Sequence, residues 1–135
     1  MGDKKAAEKA SEKAAEKATE KVPAPLGAPF GAEVLDRLFV TVQGRKGADP
    51  ETSYTAKLYS RGTAKIAQKV GEEAVEAILE AVRGDKAALA AESADLLYHL
   101  LVLWADLGLD PAEVWSKLAQ REGTSGIDEK KSRKA

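Results

Sequence analysis

The sequence contains no cysteine among its 135 residues. This absence excludes disulfides, thiol catalysis and thiolate metal sites, and it is consistent with a reducing compartment. The single histidine is His99, so any metal site must be built mainly from oxygen ligands. Metal binding or catalysis by this protein is therefore expected to use carboxylates.

The chain also lacks a large excess of one charge and a long apolar run. Lys and Arg total 21 against 22 Asp and Glu, which leaves no electrostatic footprint for nucleic-acid binding. The longest apolar stretch, Leu96 to Ala105, is about half of the ~20 residues that a membrane span needs. The N-terminus has no secretory apolar segment and is rich in glutamate, unlike a transit peptide. We expect a cytoplasmic protein that binds neither nucleic acid nor membrane.

Apolar residues larger than alanine are missing from the N-terminal repeat "AEKASEKAAEKATEK" at 7–21, so this segment cannot build a core. Three prolines and two glycines in "VPAPLGAPFG" then prevent a continuing helix. We predict a flexible low-complexity leader and linker over residues 1–30, a folded domain over 31–121, and a polar tail or flap over 122–135.

Within the domain, apolar residues recur at intervals of three and four, which is typical of amphipathic helices. No segment alternates with period two, so we predict an all-α helical bundle with a long central antiparallel helix pair. Gly62 is expected in the left-handed conformation between the second and third helices. Five helices are predicted. The first spans Glu33–Val42, the second is capped by Ser53 and ends near Ser60, and the third begins near Thr63. The fourth spans Lys86–Leu107, and the fifth is capped by Asp110 and ends near Arg121. The predicted core stripe of the third helix is Ile66, Val70, Ala74, Ala77, Ile78 and Ala81.

The third helix carries "KVGEEAVEAILEAV" at 69–82, which places Glu72, Glu73, Glu76 and Glu80 close together. Lys65 and Lys69 lie on the same side of the helix and could pair with acids one turn away. A solvated surface with weak salt bridges is therefore one interpretation of this helix.

The fourth helix favours a different interpretation. Its segment "DLLYHLLVLWAD" at 95–106 is apolar nearly all round, so neighbouring elements should bury it. Glu92 and Asp95 then lie beside the core and require cations. Antiparallel packing would bring Glu73 and Glu76 opposite them, which predicts a Mg²⁺ site made of four carboxylates, with Ca²⁺ as the structural alternative. His99 is expected to be a core residue that bonds to a carboxylate or a carbonyl, and Tyr98, Trp104 and Trp115 are expected to be core or subunit-contact residues.

Four segments, "SYTAKL" at 53–58, "QKVGEEAVE" at 68–76, "ESADLLYHLLVL" at 92–103 and "SGIDEKKSR" at 125–133, carry a family resemblance. The acid pattern E-E-x-x-E followed by E-x-x-D resembles the all-α nucleotide pyrophosphohydrolase superfamily. Together with the flanking segments, it is similar to the phosphoribosyl-ATP pyrophosphatase family of histidine biosynthesis.

This resemblance implies Mg²⁺-dependent hydrolysis of phosphoribosyl-ATP to phosphoribosyl-AMP and pyrophosphate, in a homodimer whose sites use helices from both subunits. It also implies a functional link to a separate cyclohydrolase. Glu73, Glu76, Glu92 and Asp95 would be the metal ligands, and Glu72 would support them or contact a second ion. The five acids together form the expected catalytic set. Candidates for phosphate contact are Arg45, Lys57, Lys65 and Lys69.

Two other functions stay open from the residues. One is a housekeeping hydrolase of non-standard nucleoside triphosphates, which would turn over simple dNTPs. The other is a non-catalytic helical assembly module whose acids pair with lysines of a neighbouring chain.

Overall fold

The computed structural model describes residues 30–134. Within this range the chain forms six helices and no strand, which confirms the predicted all-α class. The predicted leader and linker over 1–30 lie outside the described residues, apart from Phe30. The helices are α1 (Val34–Gly44), α2 (Tyr54–Arg61), α3 (Thr63–Arg83), α4 (Lys86–Leu107), α5 (Pro111–Ala119) and α6 (Gly126–Lys134).

Helices α3 and α4 form the central antiparallel pair and share the most extensive interface of the fold. At one end of the pair, Gly84 adopts φ 75° and Asp85 caps α4 by accepting a hydrogen bond from the Ala88 amide at 3.0 Å. At the other end, the Thr63 hydroxyl donates to Asp106 Oδ2 at 2.6 Å. The turn at one end and the hydrogen bond at the other together determine which residues of α3 and α4 lie side by side.

Helix α1 packs against α4, and α2 packs against α3. The Tyr59 hydroxyl of α2 donates to the Val42 carbonyl of α1 at 2.9 Å. Just beyond α1, Lys46 Nζ donates to the Ala105 carbonyl at 3.4 Å, where a cation favourably meets the end of α4. The hydrophobic core at this end of the bundle comprises Phe39, Val42, Leu58, Ile66, Tyr98, Leu101, Val102 and Ala105.

The side-chain caps predicted for α2 and α5 are confirmed. Ser53 accepts a hydrogen bond from the Ala56 amide, and Asp110 accepts one from the Ala112 amide. Gly62 was predicted in the left-handed helical conformation, and this is wrong, because its φ of 89° is combined with a ψ of 169°. The reason is that α2 runs directly into α3, so one residue must end the first helix and begin the second.

The face of α3 that is most buried differs from the predicted stripe. Ile66 is fully buried as expected, but the other two buried residues of this helix are Lys69 and Glu73. At the far end of the stripe, Ile78 is 60% exposed and Ala81 is exposed. The predicted core face is therefore correct near the start of α3 and wrong near its end, where the single chain provides no covering element within the described range.

An exposed apolar patch occupies this far half of the hairpin. It is formed by Val75, Ile78, Leu79 and Val82 of α3, which lie on one face of the helix because they follow one another at intervals of three, one and three. Contiguous exposed apolar patches on a protein surface commonly mark interaction sites.

Helix α6 was not predicted, since its only large apolar residue is Ile127. Local contacts maintain it instead. Ser125 Oγ accepts a hydrogen bond from the Asp128 amide at 3.2 Å, and Glu129 pairs with both Arg121 and Arg133. The proposed role of residues 122–135 as a flap stays a prediction.

By length and composition alone, α4 qualifies as a helix that could cross a membrane. Its 18-residue window has a mean hydropathy of 1.3, and 22% of that window is buried inside the chain. Core helices of soluble proteins share this length and composition, so neither property assigns α4 to a membrane.

Candidate functional site

Helix α3 positions one side of the candidate site. Ile66, Lys69 and Glu73 follow one another at intervals of three and four, so they lie on the same face of the helix. The hydrophobic contacts that bury Ile66 against α4 therefore also turn Glu73 inward, where only 1% of it is exposed. An ordinary amphipathic repeat thus places a carboxylate in the interface.

Helix α4 positions the other side. Glu92 and Asp95 are one turn apart and half-buried. Glu73 follows Thr63 by ten residues, and Asp95 precedes Asp106 by eleven, so the Thr63–Asp106 hydrogen bond places the two acids at nearly the same level. The register of the hairpin consequently brings the acids of α3 and α4 together.

Three predicted ligands form one cluster. Carboxylate oxygens of Glu73, Glu92 and Asp95 all lie within 4.8 Å of one another. The fourth, Glu76, lies one turn after Glu73, is half-buried, and is not part of this group. Its role as a ligand stays a prediction. A set of closely spaced carboxylate oxygens on two rigid helices is the donor type that suits a hard divalent cation.

A buried lysine adjoins the cluster. Lys69 Nζ lies 3.3 Å from Glu72 Oε2 and 3.7 Å from Glu73 Oε1. Gln68 Nε2 also donates to Glu72, at 2.9 Å. Part of the crowded negative charge on α3 is therefore balanced by a cation from the same helix, as the salt-bridge interpretation of the sequence anticipated.

The other three candidates for phosphate contact are placed differently. Lys57 is exposed on α2, and Lys65 is half-buried one turn before Lys69. Arg45 follows α1, next to Lys46, which contacts the Ala105 carbonyl. At 1.5 Å per residue, that carbonyl is about 15 Å along α4 from Asp95. The single chain therefore does not bring Arg45 to the acid cluster, and its role in binding substrate stays a prediction.

Polar and aromatic residues beyond the cluster were not predicted as a unit. Thr55 Oγ1 and the Tyr98 hydroxyl are hydrogen-bonded at 2.5 Å, and this bond joins α2 to α4. His99 is fully buried, with its ring edge-on to those of Tyr98 and Tyr54, at centroid distances of 5.0 and 6.3 Å. The expected burial of His99 is confirmed, and its bond to a carboxylate or a carbonyl stays a prediction. The sequence feature that could have identified Thr55 as a site residue is its place in the segment "SYTAKL". The periodicity of apolar residues does not identify a buried threonine, because threonine is polar.

The two tryptophans lie away from the acids. Trp104 of α4 and Trp115 of α5 are half-buried and meet edge to face, with centroids 5.8 Å apart. This contact attaches α5 to the central hairpin, as the prediction of core or subunit-contact residues anticipated.

The fold and the site together define a class of protein. This class consists of all-helical proteins in which carboxylates from both helices of a central antiparallel pair lie close together. A sequence model described as "Phosphoribosyl-ATP pyrophosphohydrolase" matches residues 35–122, which is more than half of the chain. The chain belongs to the phosphoribosyl-ATP pyrophosphohydrolase family.

Similarity to individual relatives extends over nearly their whole length. A phosphoribosyl-ATP pyrophosphatase of Azospirillum brasilense is 81% identical over 104 residues, which cover 77% of this chain and 94% of that protein. Proteins of the same name from Paramagnetospirillum magneticum and Cereibacter sphaeroides are 61% and 63% identical. Those alignments cover 76% and 74% of this chain, and 94% and 97% of the two relatives.

Proposed function

We propose that this protein hydrolyses phosphoribosyl-ATP to phosphoribosyl-AMP and pyrophosphate, as a Mg²⁺-dependent homodimer in the cytoplasm. The activity is the one that its relatives' names describe. The structural observation that carries the proposal is the meeting of Glu73, Glu92 and Asp95 within 4.8 Å. A phosphate-hydrolysing site requires such a concentration of negative charge to hold the cation that accompanies a triphosphate.

Within this proposal, Glu73, Glu92 and Asp95 hold Mg²⁺, with Glu76 as an additional ligand, and Glu72 supports them or contacts a second ion. A bound Mg²⁺ supplies neutralisation of phosphate charge and activation of water. The chain supplies the rigid placement. Since both helices carry acids at one level, the carboxylates are positioned before substrate arrives, and a preorganised site avoids reorganisation during the reaction.

Homodimer formation is supported by the exposed apolar patch. Val82 is 83% exposed, and Val75, Ile78 and Leu79 are each more than half exposed. These four residues follow Glu73 along α3 and lie on one exposed face of the helix, turned away from Glu73. Within the proposed homodimer, phosphate contacts from Arg45, Lys57 or Lys65 would come from the partner subunit.

A soluble role for α4 is supported by its charged residues. Glu92, Asp95 and fully buried His99 lie within the helix that has membrane-like length and composition. Ionisable groups are expensive in a bilayer, whereas here they adjoin α3 or the bundle core. We therefore assign this helix to the centre of a soluble enzyme.

The test is pyrophosphate release by purified protein with Mg²⁺, using phosphoribosyl-ATP and the common dNTPs as alternative substrates. We expect phosphoribosyl-ATP to be turned over with the highest kcat/KM, and chelation by EDTA to abolish release. Higher kcat/KM for dNTPs would instead favour a housekeeping hydrolase. Absence of both turnover and Mg²⁺ binding would favour the assembly module.

A further inference from the structure

Lys69 is buried to an unusual degree for a lysine. Only 5% of the residue is exposed, within the long helix α3. Lysines are almost never fully buried unless they are paired, because removing an ammonium from water is costly. Its two recorded ion-pair partners, Glu72 and Glu73, are adjacent in sequence. The sequence suggested that Lys69 contacts a substrate phosphate, but its ammonium is directed to the chain's own acids.

Glu73 is shared between two arrangements. One of its oxygens lies 3.7 Å from Lys69 Nζ, and the same side chain belongs to the cluster with Glu92 and Asp95. An ammonium and a divalent cation on one carboxylate repel each other strongly at low effective dielectric. Full pairing of Glu73 with Lys69 therefore opposes binding of a cation by Glu73.

Glu72 gives the ammonium a second position. Its contact with Lys69, at 3.3 Å, is shorter than that of Glu73. Gln68 holds Glu72 in place from one turn earlier, at 2.9 Å. Glu72 is also less deeply buried than Glu73, with 28% of its side chain exposed. Lys69 can therefore give up Glu73 without losing an acidic partner.

We propose that Lys69 is the internal counter-cation of the acid cluster, which pairs with Glu73 in the metal-free protein and yields it to the metal. This inference rests on the proposed metal site and adds how that site is regulated. In this proposal the two adjacent glutamates have different roles. Glu72 stays paired with the Lys69 ammonium, while Glu73 binds the metal. The positive charge of Lys69 stabilises the folded protein when no metal is bound, because it offsets the charge of the acid cluster. The same charge weakens metal binding.

The central test replaces Lys69 with methionine, which has a similar length and no charge. We expect Lys69→Met to bind Mg²⁺ or Mn²⁺ about tenfold more tightly in calorimetric titration. We also expect its Tm to fall in EDTA and to recover with Mg²⁺, because the divalent ion replaces the missing charge. Lys69→Arg should retain the affinity of the original protein, since it preserves the ion pair.

Lys117→Met is the matched control, because it removes the same single charge from an exposed position on α5. Its metal affinity should equal that of the unaltered protein. If Lys117→Met tightens binding as much as Lys69→Met does, the effect is one of net charge, and the proposal fails. An unchanged or weaker affinity in Lys69→Met, or an equal loss of Tm with and without Mg²⁺, also overturns it.

A measurement on the unaltered protein covers the case in which Lys69→Met does not fold. The Lys69 ammonium can be followed by ¹⁵N NMR in labelled protein and assigned by its loss in Lys69→Arg. We expect its resonance to shift on Mg²⁺ addition, and an unmoved resonance at saturating Mg²⁺ refutes the proposal. If the unaltered protein binds no divalent ion, the proposed metal site fails together with this inference. Mg²⁺ binding without the Lys69 effects overturns the inference alone.

Discussion

Asp95 is the residue at which the proposed metal site and the stability of the fold are expected to conflict. It is half-buried, and its carboxylate lies within 4.8 Å of two others, so like charges oppose folding in the absence of a cation. We predict that Asp95→Asn lowers pyrophosphate release at least about 100-fold, because a ligand needed to stabilise the transition state is lost. In EDTA, its Tm should equal or exceed that of the unaltered protein.

The control for this prediction is Glu122→Gln, which removes a charge from an exposed position in the turn after α5. It should change neither activity nor Tm. Loss of the helical circular dichroism signal in Asp95→Asn would contradict the prediction and favour a structural role for the acid.

The hydroxyl pair of Thr55 and Tyr98 is a second feature at the residue scale. The two oxygens are 2.5 Å apart in the buried contact between α2 and α4. Thr55→Val or Tyr98→Phe alone leaves one buried polar group without this partner, and should cost about 1–3 kcal/mol of unfolding free energy. The double variant should lose less than the sum of the two. Urea denaturation of the four proteins measures this coupling, and additive losses would show that the bond contributes no coupling energy.

At the scale of the helices, one glycine determines how the hairpin closes. Gly84 adopts φ 75° and ψ 16° between α3 and α4, a conformation that is costly for a residue with a side chain. No atom lies within 4 Å of the position that a Cβ would occupy there, so the cost of substitution is conformational and not steric. We predict that Gly84→Ala lowers the unfolding free energy by about 1–2 kcal/mol.

Gly44→Ala provides the comparison for Gly84→Ala. Gly44 ends α1 without a positive φ, and a Cβ there would also meet nothing within 4 Å. Alanine favours a helix more than glycine does, so this variant should be neutral or slightly more stable. Chemical denaturation of both variants should show opposite or clearly unequal shifts, and equal losses would contradict the argument from backbone conformation.

At the scale of the whole molecule, the far half of the central hairpin exposes large apolar residues in the single chain. Ile78 is 60% exposed within the apolar patch, although it falls on the stripe that the sequence predicts to be core. We predict that Ile78→Asp converts a dimer into a monomer, because burying a carboxylate in an apolar interface is costly. Sedimentation velocity measures the change directly.

Val40→Asp serves as the control for assembly. Val40 is 68% exposed on α1, outside the patch, so introducing a carboxylate there should leave the dimer intact. A monomeric unaltered protein, or an Ile78→Asp variant that remains dimeric, would show that a homodimer does not cover this patch.

The sequence by itself determined the helical class, most helix ends, and the acids of the cluster. These features depend on local rules, namely periodicity, capping side chains such as Ser53 and Asp110, and the fixed spacing of Glu92 and Asp95 on one helix. A resemblance spread over four segments indicated the family, since the order of several motifs is far more specific than one acid pattern.

Only the tertiary structure decided which faces of the helices are covered. It placed Lys69 and Glu73 inside, exposed Ile78 and Ala81, and brought three of the four predicted ligands into one group. The physical reason is that periodicity identifies a helical face but not the neighbour that buries it. Burial, ion pairing and register depend on the other helix, and they are fixed only when α3 and α4 pack together.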